Sequence, residues 1–249
     1  MENVDLVQLC NEVLNDILLT GWENDTIDPI GKLIFPAKSD DIRISEQELR
    51  QLFIDKFKEK HNDLFYSIES PTRAKYNLGK NYDQINICNE INNIKGQAAL
   101  LDMSIFRKNE ETKMYNRILN IEFKHENAPL KDIGKDVLKL MHEEQKGVFI
   151  FLLDNTNKGS LNNKSDRRKG VLDKLKKSFN DFKDHWEGDK NILLVIMSLK
   201  EKTLIYRSVT YNQIINLENI FSINSNGAGN IRTVSEDSGW KKEPKNISL

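Results

Sequence analysis

The sequence is short of cysteine, net charge and long apolar runs, and each shortage excludes something. Two cysteines, Cys10 and Cys88, cannot build a disulfide framework, and no Cys/His spacing resembles a zinc site. A reducing compartment, the cytoplasm, is the expectation. No stretch nears the ~18 apolar residues that a membrane span needs. The opening residues, MENVDLVQ, are acidic where a signal peptide is basic, which argues against a secretory leader. The 37 basic and 38 acidic residues leave a net charge of −1, so no overall field gathers nucleic acid and a local patch must do so. Aromatic residues, at 8%, form no stacking platform of the kind single-strand binders use.

What is present is an ordinary globular composition over 249 residues, enough for one full core. Val4, Val7, Leu14, Ile17 and Leu18 recur at helical spacing and predict a helix over residues 4–20, which either caps the core or mediates dimerisation. Residues 21–43 read as an irregular connection. Ser45 with Glu48 fits a capping box opening a helix that carries Leu49, Leu52, Phe53 and Phe57 and ends near His61. Leu64–Ile68 reads as a strand broken by Pro71, and residues 81–95 have no clear period. Strands are expected over 98–106, 115–123, 148–153, 191–199 and 203–209, with helices over 130–143 and from Val171 to Trp186. This order predicts an α/β fold, a mixed central sheet flanked by helices. The expected division is an N-terminal helix and connection (1–43), a main domain (44–223) and a polar, flexible tail (224–249).

Two acids sit inside apolar strands, Asp102 after Leu100-Leu101 and Glu122 after Leu119-Asn120-Ile121. A carboxylate buried without a partner is costly, and metal binding offsets that cost. If 98–107 and 115–124 pair as a hairpin turning near 111–112, Asp102 falls opposite about residue 121, beside Glu122. Alternation puts Glu122 and Lys124 on one face of their strand. Two carboxylates suit a hard cation such as Mg2+, and a lysine beside them can orient water or stabilise charge on a phosphate. The acidic-x-Lys pattern occurs five times, beginning at Glu111, Glu122, Glu144, Asp181 and Glu243, so the bare pattern selects nothing. Only Glu122 follows a buried strand with an acid on the partner strand. The bland alternative is a buried Glu–Lys pair with no chemistry.

At Asp102 and Glu122-Phe123-Lys124, with 19 residues between the acids, the sequence resembles the PD-(D/E)XK nuclease superfamily over about residues 45–155. The helix after the lysine strand and the buried strand after that follow the superfamily's order of elements. The proline of the family name is absent, Leu101 preceding Asp102. The resemblance implies a restriction-endonuclease-like core, and hydrolysis of phosphodiester bonds with Mg2+ or Mn2+, leaving a 5′-phosphate; it does not fix the substrate, for which DNA is the expectation. Asp102, Glu122 and a helix glutamate would bind the metal, with Lys124 beside them. Glu48 is favoured for that glutamate over Glu46, although its capping-box role competes. By analogy the resemblance also implies restriction or anti-phage defence, as a homodimer or with a partner subunit. The alternative is an inactive nuclease-fold module binding nucleic acid or a protein.

Lys131, Lys135 and Lys139 recur every four residues, and Arg167 and Arg168 lie in a basic stretch. Both groups are expected to grip a phosphate backbone, against the plainer reading of solvated surface. His125 points to the face opposite Lys124 and reads as a packing residue.

Overall fold

A computed structural model of the chain describes residues 1, 3–19, 37–38, 41–42, 44–88, 96–157, 159–162, 169–215, 220–223 and 231–243. Helix α1 (Asn3–Leu19) is followed by a two-stranded piece, β1 (Ala37–Lys38) with β2 (Asp41–Ile42), inside the segment expected to be irregular. Then come α2 (Glu46–Lys60), β3 (Leu64–Leu78), β4 (Ile85–Ile87), β5 (Gln97–Lys108) and β6 (Tyr115–His125). These lead into α3 (Leu130–His142), β7 (Lys146–Leu153), α4 (Val171–Phe182), β8 (Asn191–Ser198), β9 (Thr203–Thr210), the short α5 (Tyr211–Ile215) and β10 (Lys241–Glu243).

Among the described residues, eight strands form one mixed sheet in the order β10-β9-β8-β7-β6-β5-β3-β4. The meander β3-β5-β6 is antiparallel, β6-β7 and β7-β8 are parallel, and β8-β9 is antiparallel. The parallel pairs require crossovers, which α3 and α4 supply. The central strand β7 is apolar on both faces, as a strand covered on both sides must be. Its Phe149 and Phe151 pack with Ile133, Val137, Leu172 and Phe179 from α3 and α4. Its Val148, Ile150 and Leu152 share the other layer with α1 and α2. The fold is therefore α/β with helices on both faces of a mixed sheet, as expected.

Helix α1 belongs to this core. Leu6, Val7, Leu9, Val13, Leu14 and Ile17 are all at most 3% exposed. At about 1.5–3 kcal/mol for each such side chain, their burial is comparable with the whole net stability of a domain, about 5–15 kcal/mol. Residues 3–19 thus pack on the sheet and cap the core, one of the two roles expected for this helix.

Three other expectations are corrected. Pro71 does not end its strand: β3 runs through it with a register shift between Pro71 and Lys75. The donors freed there are satisfied by the buried Glu143, just past α3, which accepts from Arg73 N–H at 3.0 Å, Ala74 N–H at 3.4 Å and Tyr76 O–H at 3.3 Å. Arg117 completes this knot, pairing with Glu143 and donating to Ser70 Oγ and Pro71 O. Helix α4 ends at Phe182, and a 3-10 turn separates it from Trp186. The tail is docked over residues 231–243: Trp240 is 3% exposed, its indole N–H donates to Ile220 O, and β10 pairs with β9. No described helix is long and apolar enough to cross a membrane.

Candidate functional site

The expected hairpin forms with a register of Met103↔Ile121 and Lys108↔Tyr115, eased by a bulge after Ile105. Continuing that register puts Asp102 beside Glu122. The recorded pairing stops at Met103, and the Asp102 side chain takes over from the backbone: Phe123 N–H donates to Asp102 Oδ2 at 2.8 Å. Asp102 is thereby fixed to the strand that carries Glu122 and Lys124.

Glu122 is fully buried. Lys139 Nζ, from α3, lies 2.6 Å from its Oε1, and neither carboxylate oxygen has a well-angled hydrogen-bond partner among the described residues. Burial, then the charges of Asp136 and Asp102, push the Glu122 carboxyl well above the usual range, and Lys139 offsets only part of this.

The Lys124 ammonium lies 2.9 Å from Asp136 Oδ2 and 3.3 Å from Glu46 Oε2, and donates to Phe123 O at 2.9 Å. Burial opposes its charge, but Asp136, Asp102 and Glu46 outweigh burial and hold its pKa above the ordinary lysine value. Asp136 also meets Lys139, at 2.8 Å from Oδ1. Burial works against the Asp136 carboxylate, yet the two lysines hold its pKa below the usual range. Four carboxylates, from Glu46, Asp102, Glu122 and Asp136, thus face two ammonium groups.

The structure brings together Asp102, Glu122 and Lys124 as expected. The helix glutamate is different. Glu48 closes the capping box, accepting from Ser45 N–H at 2.8 Å and from the Ser45 hydroxyl. It is Glu46, in the same first turn, that reaches Lys124. Glu46 also carries a raised pKa, through burial and then Asp102, against the opposing pull of Lys124. Lys139 is likewise corrected. It is 5% exposed and sits inside the cluster instead of on a phosphate-gripping surface. Lys131 and Lys135 continue its row along α3 as half-buried residues, Lys135 paired with Asp132 at 2.9 Å. Arg167 and Arg168 lie outside the described residues.

Asp136 is the site residue that sequence reasoning missed, and with it the interior place of Lys139, which was expected on a phosphate-gripping surface. The available signal was their spacing: three apart on a helix, they present both charges to one side, toward the strand face that carries Glu122 and Lys124. His125 points away from Lys124, as alternation requires, and forms a different group with Glu126 and Asp154. One ligand atom from each lies within 4.8 Å of the others, at half-buried positions. Asp102, Glu122 and Glu48 do not form so tight a group. Comparisons with family models, with curated proteins and with solved structures find no match to the chain.

Proposed function

We propose that the chain is a metal-dependent phosphodiesterase acting on DNA, with Asp102 and Glu122 as the metal-binding acids and Lys124 as the phosphate- or water-directed cation. The observation that carries this reading is the charge balance around Glu122: a fully buried carboxylate whose one close partner among the described residues is the Lys139 ammonium at 2.6 Å, in a cluster where four carboxylates meet two lysines. An all-oxygen donor set with a net deficit of positive charge fits a hard divalent ion, Mg2+ or Mn2+. Such an ion, when bound, lowers the pKa of a water and stabilises charge on a phosphate.

The remaining chemistry belongs to the chain. The contact from Phe123 N–H holds the Asp102 carboxylate against β6. Asp136 and Glu46 hold the Lys124 side chain and keep it charged, so that it presents an ammonium to a phosphate oxygen or to the attacking water. The Glu-x-Lys strand β6 is followed by α3 and then the buried strand β7, the order the PD-(D/E)XK resemblance implies after the lysine strand, and this supports the same reading. By that resemblance the cellular setting is restriction or defence against foreign DNA, with a second copy or a partner subunit; the two unpaired cysteines fit the cytoplasm. Replacement of Lys124 by alanine is expected to lower Mg2+-dependent cleavage of DNA by at least ~100-fold. Cleavage equal to that of the unaltered protein would overturn the assignment.

One observation favours a second reading. Lys139 already compensates part of the Glu122 charge, as it would in a nuclease-fold module that keeps the cluster only as a structural ion network. Absence of Mn2+ binding, together with absence of cleavage of DNA and RNA, would select that reading.

A further inference from the structure

Lys139 occupies a cage made wholly of oxygen. Its Nζ lies 2.6 Å from Glu122 Oε1, 2.8 Å from Asp136 Oδ1 and 2.8 Å from the backbone carbonyl of Leu100. Two carboxylates and a carbonyl are a donor set that hard divalent cations take. The cage draws on three elements, β5, β6 and α3, and its central side chain is 7% exposed. A surface ion pair has neither property. An ammonium brings one positive charge where such a cation brings two, and the cluster it leaves behind is still short of positive charge.

We propose that the Lys139 ammonium is a built-in cation that fills a second metal position beside Glu122, so that the site accepts a single divalent ion, which Asp102 and Glu122 would hold. Truncating the side chain opens the cage and adds one divalent ion per chain. The proposal rests on reading this cluster as a cation site. It goes further by assigning Lys139 the place of an ion and by setting the metal stoichiometry. Lys139 acts here as a positioning residue that holds Glu122 Oε1 away from the bound metal.

The experiment counts bound Mn2+ per chain by equilibrium dialysis and electron paramagnetic resonance, on the unaltered full chain and on Lys139→Ala. Lys139→Ser is carried alongside because it leaves a smaller void. One ion on the unaltered chain and two on a truncated variant is the expected result. The spectrum of the two-ion variant should show exchange coupling between neighbouring Mn2+ ions. Equal counts on the unaltered chain and the variants overturn the proposal, and so do two ions on the unaltered chain. Zero ions on the unaltered chain with one on a variant removes the metal reading of the native site while upholding the cage. If the variants unfold without metal, circular dichroism with added Mn2+ decides. Recovery of the fold with Mn2+ upholds the cage, and failure of both variants to recover overturns it.

Discussion

The Lys124 ammonium and the Asp136 carboxylate meet at 2.9 Å across the gap between β6 and α3, and the other oxygen of Asp136 holds Lys139. One buried acid therefore serves two buried lysines. Removing a single partner from a buried pair leaves an uncompensated charge, which costs about 3–5 kcal/mol. Asp136→Ala is expected to lower unfolding stability by about that amount, read as a drop in the urea midpoint. A midpoint within experimental error of the unaltered protein would show that water screens the cluster.

Glu46 and Glu48 separate two roles within one helical turn. Glu48→Ala removes the carboxylate half of the capping box and should cost about 1 kcal/mol or less, with cleavage unaffected. Glu46→Gln keeps the cap but frees the Lys124 side chain on one side. It should lower cleavage roughly 10- to 100-fold through misplacement of the ammonium, with little change in stability. The two variants, compared by thermal melts and by rate, are expected to show opposite patterns. Matching patterns would count against the division of roles.

Lys190 gives a pH dependence away from the charge cluster. Burial pushes its pKa down from 10.5 to about 8, against the opposing pull of Glu143, Glu187 and Glu144. Its ammonium donates to the Glu143 carbonyl and lies 6.0 Å from the centre of the Trp186 ring. Between about 8 and 10.5 the unfolded chain holds a proton at this lysine that the folded chain has released. Stability attributable to Lys190 therefore rises with pH across that window, the cost of burying the charge being fully present below it. Lys190→Met should remove this slope. Urea midpoints at about pH 7.5 and pH 10 provide the measurement, and parallel slopes for the two proteins would sink the idea.

Much of the fold was legible because its signals are local. Apolar runs marked β7 and β8, helical spacing marked α2 and α3, and the Ser45–Glu48 pair marked where α2 begins. Alternation alone put Glu122 and Lys124 on one face, and hairpin counting brought Asp102 within one residue of its observed position. Most of the misses share a cause, dependence on a contact distant in sequence. Pro71 can stay within β3 because Glu143 and Arg117 satisfy the irregular backbone around it. The polar tail docks because Trp240 finds the Ile220 carbonyl. Glu48 is the local exception: the serine that begins the helix, three residues before it, claims its carboxylate, which leaves Glu46 for Lys124. Lys139 carried the pattern of a surface row, and only the packing of α3 against β6 turns it into an interior cation.

The crossover through α3 also bears on the order in which the cluster assembles. Glu122, Lys124, Asp136 and Lys139 belong to one strand–helix segment, so a short loop closure brings them together, with a smaller entropic barrier than distant contacts carry. Asp102 joins when the neighbouring strand pairs. Glu46 joins from a helix that packs in the layer on the other side of the sheet. Glu122 thus has a lysine from its own strand–helix segment, whereas the Glu46 carboxylate comes from the opposite layer.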